Sequence, residues 1–183
     1  MSLDYTEGCV NFRDVGTFLN WIAEKPIFPE KKIYRGGSID YIKTAHEIGN
    51  PKSIINLRNG HDSESFGADY YHFPMANKYE KYDTSQKEVR TWLNSIIQVF
   101  ETDDLAYPVF IHCLSGKDRT GIIIAALLWI AGINEKTIIE EYLLSDGEVT
   151  TQRIQMALNG IKNHKDYFNR VNLPKVKQNL INQ

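Results

Sequence analysis

A cysteine and an arginine stand at the two ends of a short polar stretch, residues 113–119. The residues before it, 109–112, have the β-branched and aromatic character of a buried strand, and residues 120–131 form a strongly apolar helix pattern. A loop that joins a strand end to a helix start directs backbone N–H groups and the positive end of a helix dipole into one space. The stretch therefore predicts an anion site that fits a phosphate.

Cys113 lies at the centre of that positive field, with Lys117 and Arg119 close to it in sequence. Such surroundings favour the thiolate, which is the nucleophilic form of cysteine. The planar guanidinium of Arg119 can bind two equatorial oxygens of a transferring phosphoryl group and neutralise the charge that develops there. We therefore expect Cys113 to attack phosphorus and form a phosphocysteine intermediate. The loop residues expected to bind the phosphate are Leu114, Ser115, Gly116, Lys117, Asp118 and Arg119.

Strand and helix patterns alternate before this loop, and helices alone follow it. Strands are expected at residues 32–35, 53–57, 70–73 and 109–112, with 10–12 as a short fifth. Helices are expected at residues 40–48, 85–100, 120–131, 135–144, 148–161 and 173–181. This order predicts an α/β fold, a layered sandwich with a central, mostly parallel four- or five-stranded sheet covered by helices on both faces.

The composition limits what this domain can be. A length of 183 residues predicts one domain over residues 1–183, and a net charge of -2 with a pI near 6.2 excludes a nucleic-acid footprint. Two cysteines and scattered histidines indicate neither a disulfide framework nor a metal site, so no cofactor is expected. The apolar run 122–131 is too short for a bilayer span, and residues 1–11 lack a secretory signal. We expect a cytoplasmic protein, with export by another route and the oligomeric state left open.

The loop sequence HCLSGKDRTG, residues 112–121, resembles the signature loop of the protein tyrosine phosphatase superfamily: His-Cys, five residues, then Arg and Thr or Ser. The segments NFRDVG at 11–16 and IYR at 33–35, with the GKDRTG form of the loop, further resemble the bacterial and fungal branch of tyrosine/serine and phosphoinositide phosphatases.

The resemblance implies roles for individual residues and a class of substrate. It implies Cys113 as the nucleophile, Arg119 as the transition-state clamp, and Thr120 as a hydroxyl donor to the leaving thiolate. His112 would order the loop rather than react. Lys117 looks like the basic residue of phosphatases that act on phosphoinositides or on several phosphate types. A phosphorylated protein or a phosphoinositide is therefore the expected substrate and partner.

A general acid must protonate the leaving oxygen, and two aspartates are candidates. Asp118 lies inside the loop, as in the branch that the sequence resembles, and Asp83 lies where related dual-specificity enzymes carry a mobile acid. Many members of that branch also carry Asp-Leu-Arg at the end of an inner strand, whereas this chain reads Asn-Leu-Arg from Asn56. Both aspartates stay open as the acid.

Other interpretations compete with hydrolysis. Asn56 keeps open a catalytically weak phosphate-binding module, a pseudophosphatase, and sulfur or arsenate transfer by Cys113 is disfavoured because no second cysteine lies near it in sequence. A nucleotide P-loop is excluded, since Asp118 stands where Ser or Thr is required. Arg13 and Arg58 are expected to be surface residues or to guide anions to the loop. The polar side chains of His61, Asp62 and His72 are expected to be solvated at the surface.

Overall fold

A five-stranded sheet forms the centre of the structure, a computed structural model that describes residues 8–182. The strands are β1 (Arg13–Asp14), β2 (Ile33–Gly36), β3 (Ser53–Asn56), β4 (Asp69–His72) and β5 (Val109–His112). Their order is β1-β2-β5-β3-β4, with β1 antiparallel to β2 and the other neighbours parallel. The predicted α/β fold with a mostly parallel sheet is confirmed.

Six helices accompany the sheet: α1 (Val15–Ala23), α2 (Lys87–Val99), α3 (Asp118–Ala131), α4 (Glu135–Leu143), α5 (Thr151–Lys162) and α6 (Leu173–Ile181). Helices α2 to α6 lie where the apolar periodicity predicts them, within a few residues at each end. The side chains of Asn134 and Thr150 accept hydrogen bonds from the first turns of α4 and α5, which sets where those helices begin.

The fifth strand and the first helix differ from the expectation. The strand lies at Arg13–Asp14 rather than at residues 10–12, and it is a two-residue edge strand too short to show an alternating pattern. Helix α1 follows at once because Asp14 accepts hydrogen bonds from the amide of Gly16 at 3.2 Å and the hydroxyl of Thr17 at 2.7 Å. The sequence pattern predicts no helix there.

The helix predicted at residues 40–48 is wrong, because only a 3₁₀ turn, Ala45–Ile48, forms there. The Glu47 carboxylate accepts hydrogen bonds from the amides of Lys43 at 3.1 Å and Thr44 at 2.8 Å. Those contacts complete a capping box that starts the turn late, and Gly49, with a φ of 81°, ends it. The apolar positions of the segment still pack, with Ile42 and Ile48 buried.

Alternate residues of the central strands enter two separate cores. Ile55, Val109 and Ile111 belong to the larger core, together with the buried residues of the helices. Ile54 and Phe110 point into a smaller core that, among the described residues, is covered by the 3₁₀ turn and loops instead of by helices. Helices therefore cover one face rather than the two predicted. Within residues 8–182, every helix falls short of the length and apolar character needed to cross a bilayer.

Candidate active site

The loop that carries Cys113 leaves the carboxyl end of the central strand β5. His112, the last residue of β5, pairs with Gly36 at the end of β2 and with Asn56 at the end of β3. Helix α3 begins at Asp118, so the loop occupies the junction between the sheet and the helix N-terminus. This is the placement that the sequence predicts for an anion site.

Four carbonyl groups of the loop accept hydrogen bonds, three of them from the surrounding structure and the fourth, that of Lys117, from within α3. Their acceptor-to-donor pairs are Leu114 O with Ser38 N at 2.9 Å, Ser115 O with Asn11 Nδ2 at 2.8 Å, Gly116 O with Arg35 Nη2 at 2.9 Å, and Lys117 O with Gly121 N at 2.9 Å. By contrast, the amides of residues 114–119 donate to no acceptor within residues 8–182. An oxyanion can therefore accept hydrogen bonds from these amides without breaking any existing hydrogen bond.

Gly116 makes the tight curl of the loop possible. Its φ of +67° is in the left-handed region, and a Cβ on it would lie 2.4 Å from the carbonyl carbon of Gly36. A side chain at this position would push the loop away from the end of β2. Cys113, at the start of the curl, is only 4% exposed.

His112 contacts a buried carboxylate that the sequence places at the surface. Its Nε2 lies 2.8 Å from Oδ2 of Asp62, and both side chains are fully buried. The hydroxyl of Tyr70 donates to the same oxygen at 3.0 Å. The prediction of a solvated Asp62 is therefore wrong, because the loop after β3 folds back over the strand ends and brings Asp62 against β5.

Arg119 and Thr120 occupy the first turn of α3. The guanidinium of Arg119 donates to the carbonyl of Leu57 at 2.7 Å and to Oδ1 of Asn77 at 3.1 Å, which holds it beside the end of β3. Thr120 is fully buried, and its hydroxyl has no hydrogen-bond partner among the described residues. Both residues therefore lie at the edge of the sheet from which the loop leaves.

A buried cluster of two arginines and a glutamate supports the loop from behind. Glu141 of α4 accepts hydrogen bonds from Arg13 Nε at 2.9 Å and from Arg35 Nη1 at 2.6 Å, and all three side chains are essentially inaccessible. Arg35 also holds the carbonyl of Gly116. Arg13 is thus neither a surface residue nor an anion guide, and the cluster joins β1, β2 and α4 to the loop.

The Glu141 carboxylate is ionised because of its two arginine partners. Burial raises the pKa of Glu141, but the charges of Arg13 and Arg35 and their hydrogen bonds outweigh burial and hold the pKa below its ordinary value. Sequence reasoning missed this cluster. Its only signal is the pair of arginines in the NFRDVG and IYR segments, which indicates no partner for either residue.

The two candidate acids have different surroundings. Asp118 is in the first turn of α3, with its side chain 30% exposed, and its Oδ1 accepts a hydrogen bond from the hydroxyl of Tyr82 at 2.6 Å. The carboxylate of Asp83 instead accepts hydrogen bonds from the hydroxyl of Ser85 at 2.5 Å and from Nε2 of Gln86 at 3.0 Å. These hydrogen bonds, from Ser85 first and then from Gln86, lower the pKa of Asp83.

Asn56, which stands where the related branch carries aspartate, has a structural role. Its Oδ1 accepts the amide of Arg58 at 2.7 Å, and its Nδ2 donates to the carbonyl of Gly60 at 2.9 Å and the hydroxyl of Tyr70 at 2.7 Å. The side chain therefore fastens the loop that delivers Asp62 to His112.

Arg58, which the sequence predicts as an exposed strand end or an anion guide, is held by two carboxylates. Its guanidinium pairs with the exposed Asp40 at 2.7 Å and with the buried Asp62 at 3.4 Å.

Comparison with known proteins gives a family match over nearly the whole chain. A family model described as "Tyrosine phosphatase family" matches residues 5–183. Among curated proteins, the triple specificity protein phosphatase PtpB of Mycobacterium tuberculosis is 29% identical over 83 residues. That match covers 45% of this chain and 29% of PtpB, so the chain spans less than a third of this curated relative.

Solved structures share the fold at low sequence identity. The core catalytic domain of the PP-IP phosphatase SIW14 from S. cerevisiae, solved with citrate, has a TM-score of 0.56 at 19% identity and covers 72% of this chain and 83% of that one. PTPMT1 in complex with PI(5)P has a TM-score of 0.53 at 13% identity, covering 73% and 92%. TpbA of P. aeruginosa has a TM-score of 0.50 at 14% identity, covering 83% and 88%.

Proposed function

The chain belongs to the tyrosine phosphatase family, and we propose that it hydrolyses phosphate monoesters through a phosphocysteine intermediate on Cys113. The observation that carries the proposal is the loop itself. The carbonyls of residues 114–117 accept hydrogen bonds, and the amides of residues 114–119 donate to no acceptor within residues 8–182, which leaves them for an oxyanion. Release of inorganic phosphate from p-nitrophenyl phosphate by the purified chain tests the proposal.

The first step transfers the phosphoryl group to sulfur. The Cys113 thiolate attacks phosphorus in line, an S–P bond forms, and the P–O bond to the leaving group breaks. The loop amides and the guanidinium of Arg119 bind the equatorial oxygens, where charge is neutralised in the transition state. The carboxyl group of Asp118 gives its proton to the leaving oxygen.

The second step releases phosphate. The Asp118 carboxylate takes a proton from a water molecule, the water oxygen attacks phosphorus, and the S–P bond breaks to return the thiolate. To the hydroxyl of Thr120, which is buried and without a partner among the described residues, we assign the hydrogen bond to the departing sulfur. His112 has no reacting role, because its Nε2 is engaged with Asp62.

Asp118 is the better candidate for the acid. It belongs to the same helix turn as Arg119, and its Oδ2 accepts no hydrogen bond within residues 8–182, although Nζ of Lys117 lies 3.8 Å from it. Asp83 uses both carboxylate oxygens to accept hydrogen bonds from its own segment, and these hydrogen bonds lower its pKa, which disfavours the protonated form that an acid needs. We therefore assign proton donation to Asp118.

The Asp118→Asn variant tests this assignment through the leaving group. We expect a fall in kcat/KM of about 10²-fold with phenyl phosphate, whose leaving group needs a proton, and a much smaller fall with p-nitrophenyl phosphate. The matched Asp83→Asn variant should lose activity equally with both substrates, if it loses any. A leaving-group dependence in Asp83→Asn and none in Asp118→Asn would reverse the assignment.

We propose phosphotyrosine, phosphoserine or phosphothreonine, and phosphoinositides as the substrate classes. Lys117, 17% exposed, adds a positive charge at the loop, 3.8 Å from Oδ2 of Asp118, and lies against Gly147 of the turn that follows α4. A second phosphate on an inositol ring is the group that such a cation can bind. The name of PtpB includes triple specificity, and the PTPMT1 structure contains PI(5)P, which supports this range.

The Lys117→Ala variant separates these substrate classes. We expect kcat/KM for a dispersed phosphoinositide to fall about tenfold more than kcat/KM for a phosphotyrosine peptide, because only the inositol ring presents a further phosphate. The Lys136→Ala variant removes an exposed lysine from the opposite end of α4 and should leave the ratio of the two activities unchanged. Equal losses with both substrates in Lys117→Ala would count against selection by this residue.

A further inference from the structure

A tyrosine from a distant segment reaches the first turn of α3. Tyr82 lies between β4 and α2, is 5% exposed, and donates its hydroxyl hydrogen to Oδ1 of Asp118 at 2.6 Å. It lies directly before Asp83, the other candidate acid. The segment of Asp83, one candidate for the general acid, therefore contributes a hydrogen-bond donor to Asp118, the other candidate.

A second tyrosine contacts the hydroxyl of Tyr82 from the other side. The hydroxyl of Tyr142 lies 2.6 Å from that of Tyr82, and the Tyr142 side chain is fully buried. A carboxylate can only accept, so the one hydroxyl hydrogen of Tyr82 goes to Asp118, and this leaves Tyr142 as the donor to Tyr82. Burial, then the contacts with Asp118 and Tyr142, raise the pKa of Tyr82 far above its ordinary value, so the phenol remains a donor at neutral pH.

We propose that Tyr82 is the positioning residue for the general acid: its hydrogen bond occupies Oδ1 of Asp118, so that the acid proton resides on Oδ2. A proton on Oδ1 would meet the hydroxyl hydrogen of Tyr82 and is disfavoured. Oδ2 then donates to the leaving oxygen in the first step and accepts a proton from water in the second. This inference rests on the proposed function, in which Asp118 is the acid.

The segment around Tyr82 is anchored independently of Asp118. The hydroxyl of Thr84 donates to the carbonyl of Ala157 in α5 at 2.6 Å, and the hydroxyl of Tyr167 donates to the carbonyl of Thr84 at 2.8 Å. Both contacts are buried. These two hydrogen bonds hold the segment of Tyr82 without contacting the loop. A variant that removes one of them therefore serves as a control, because it disturbs the segment and leaves the Tyr82–Asp118 hydrogen bond in place.

The Tyr82→Phe variant removes the hydroxyl and keeps the ring. We expect kcat/KM with phenyl phosphate to fall about tenfold, because the Asp118 carboxyl loses the partner that fixes its proton, and to change little with p-nitrophenyl phosphate. The Tyr167→Phe control removes a comparable buried hydroxyl and should affect both substrates equally. Thermal unfolding of each variant reports any loss of stability separately.

A double-mutant cycle completes the test. In the Asp118→Asn background, Tyr82→Phe should cause no further loss that depends on the leaving group, since the acid is already absent. Equal losses with both substrates in Tyr82→Phe, or a full further loss in the double variant, would overturn the role of Tyr82. Those results would leave the phosphocysteine mechanism intact, which the Cys113→Ser variant tests by itself.

Discussion

The Cys113→Ser chain is expected to release phosphate from p-nitrophenyl phosphate at least ~10⁴-fold more slowly than the parent chain. A serine hydroxyl stays protonated at neutral pH, and Asp118 must itself hold a proton in the first step to act as the acid, so it cannot activate the serine as a base. The loop amides and Arg119 should continue to bind phosphate, because they do not depend on sulfur. The loss should therefore appear in kcat rather than in the affinity for inorganic phosphate.

The second cysteine is the matched control for this experiment. Cys9 is fully buried, and burial raises the pKa of its thiol to about 12, so it remains un-ionised at neutral pH. The Cys9→Ser variant should keep most of the parent rate. Parent activity in Cys113→Ser would eliminate the phosphocysteine mechanism. A parent chain that binds phosphate but releases none from any ester would instead favour the pseudophosphatase alternative.

The Glu141→Gln variant is expected to lose about 3–5 kcal/mol of unfolding free energy, because it leaves the buried guanidinium of Arg35 without its carboxylate. The matched Glu140→Gln variant removes the neighbouring acid, which within the described residues 8–182 pairs with Lys136 alone, at 3.8 Å on the surface. Its expected loss is below about 1 kcal/mol. Urea denaturation at neutral pH measures both values.

The pH dependence of this stabilisation has a definite sign. The pKa of Glu141 in the folded chain is held below the ordinary value of 4.5, so its contribution is complete above that value and is lost as the pH falls through the lower, folded-state pKa. Parent and Glu141→Gln stabilities should therefore converge in strongly acidic solution. A constant difference over the whole acid range would show that the cluster does not act through the charge of Glu141.

Helices and strands with a continuous apolar pattern could be predicted from the sequence. The short elements, and those in which side chains compete for backbone hydrogen bonds, could not. Helix α3 and strand β5 follow from continuous apolar runs. The segment at 40–48 has the apolar spacing of a helix, yet the amides of Lys43 and Thr44 donate to the Glu47 side chain. The spacing of apolar residues does not show that a side chain competes with the helix for backbone hydrogen bonds. The strand β1 spans two residues, too few for any periodicity.

The loop that carries Cys113 was determined by the sequence alone, because a strand, a glycine-containing turn and a helix start are consecutive in the chain and set their own backbone directions. Its supports were decided only by the tertiary structure. Glu141 meets Arg13 across 128 residues, Asp62 meets His112 across 50, and Tyr82 meets Asp118 across 36. Which buried polar groups pair depends on the order of strands in the sheet and on how the connecting segments return to it. Local residue patterns contain no information on that order.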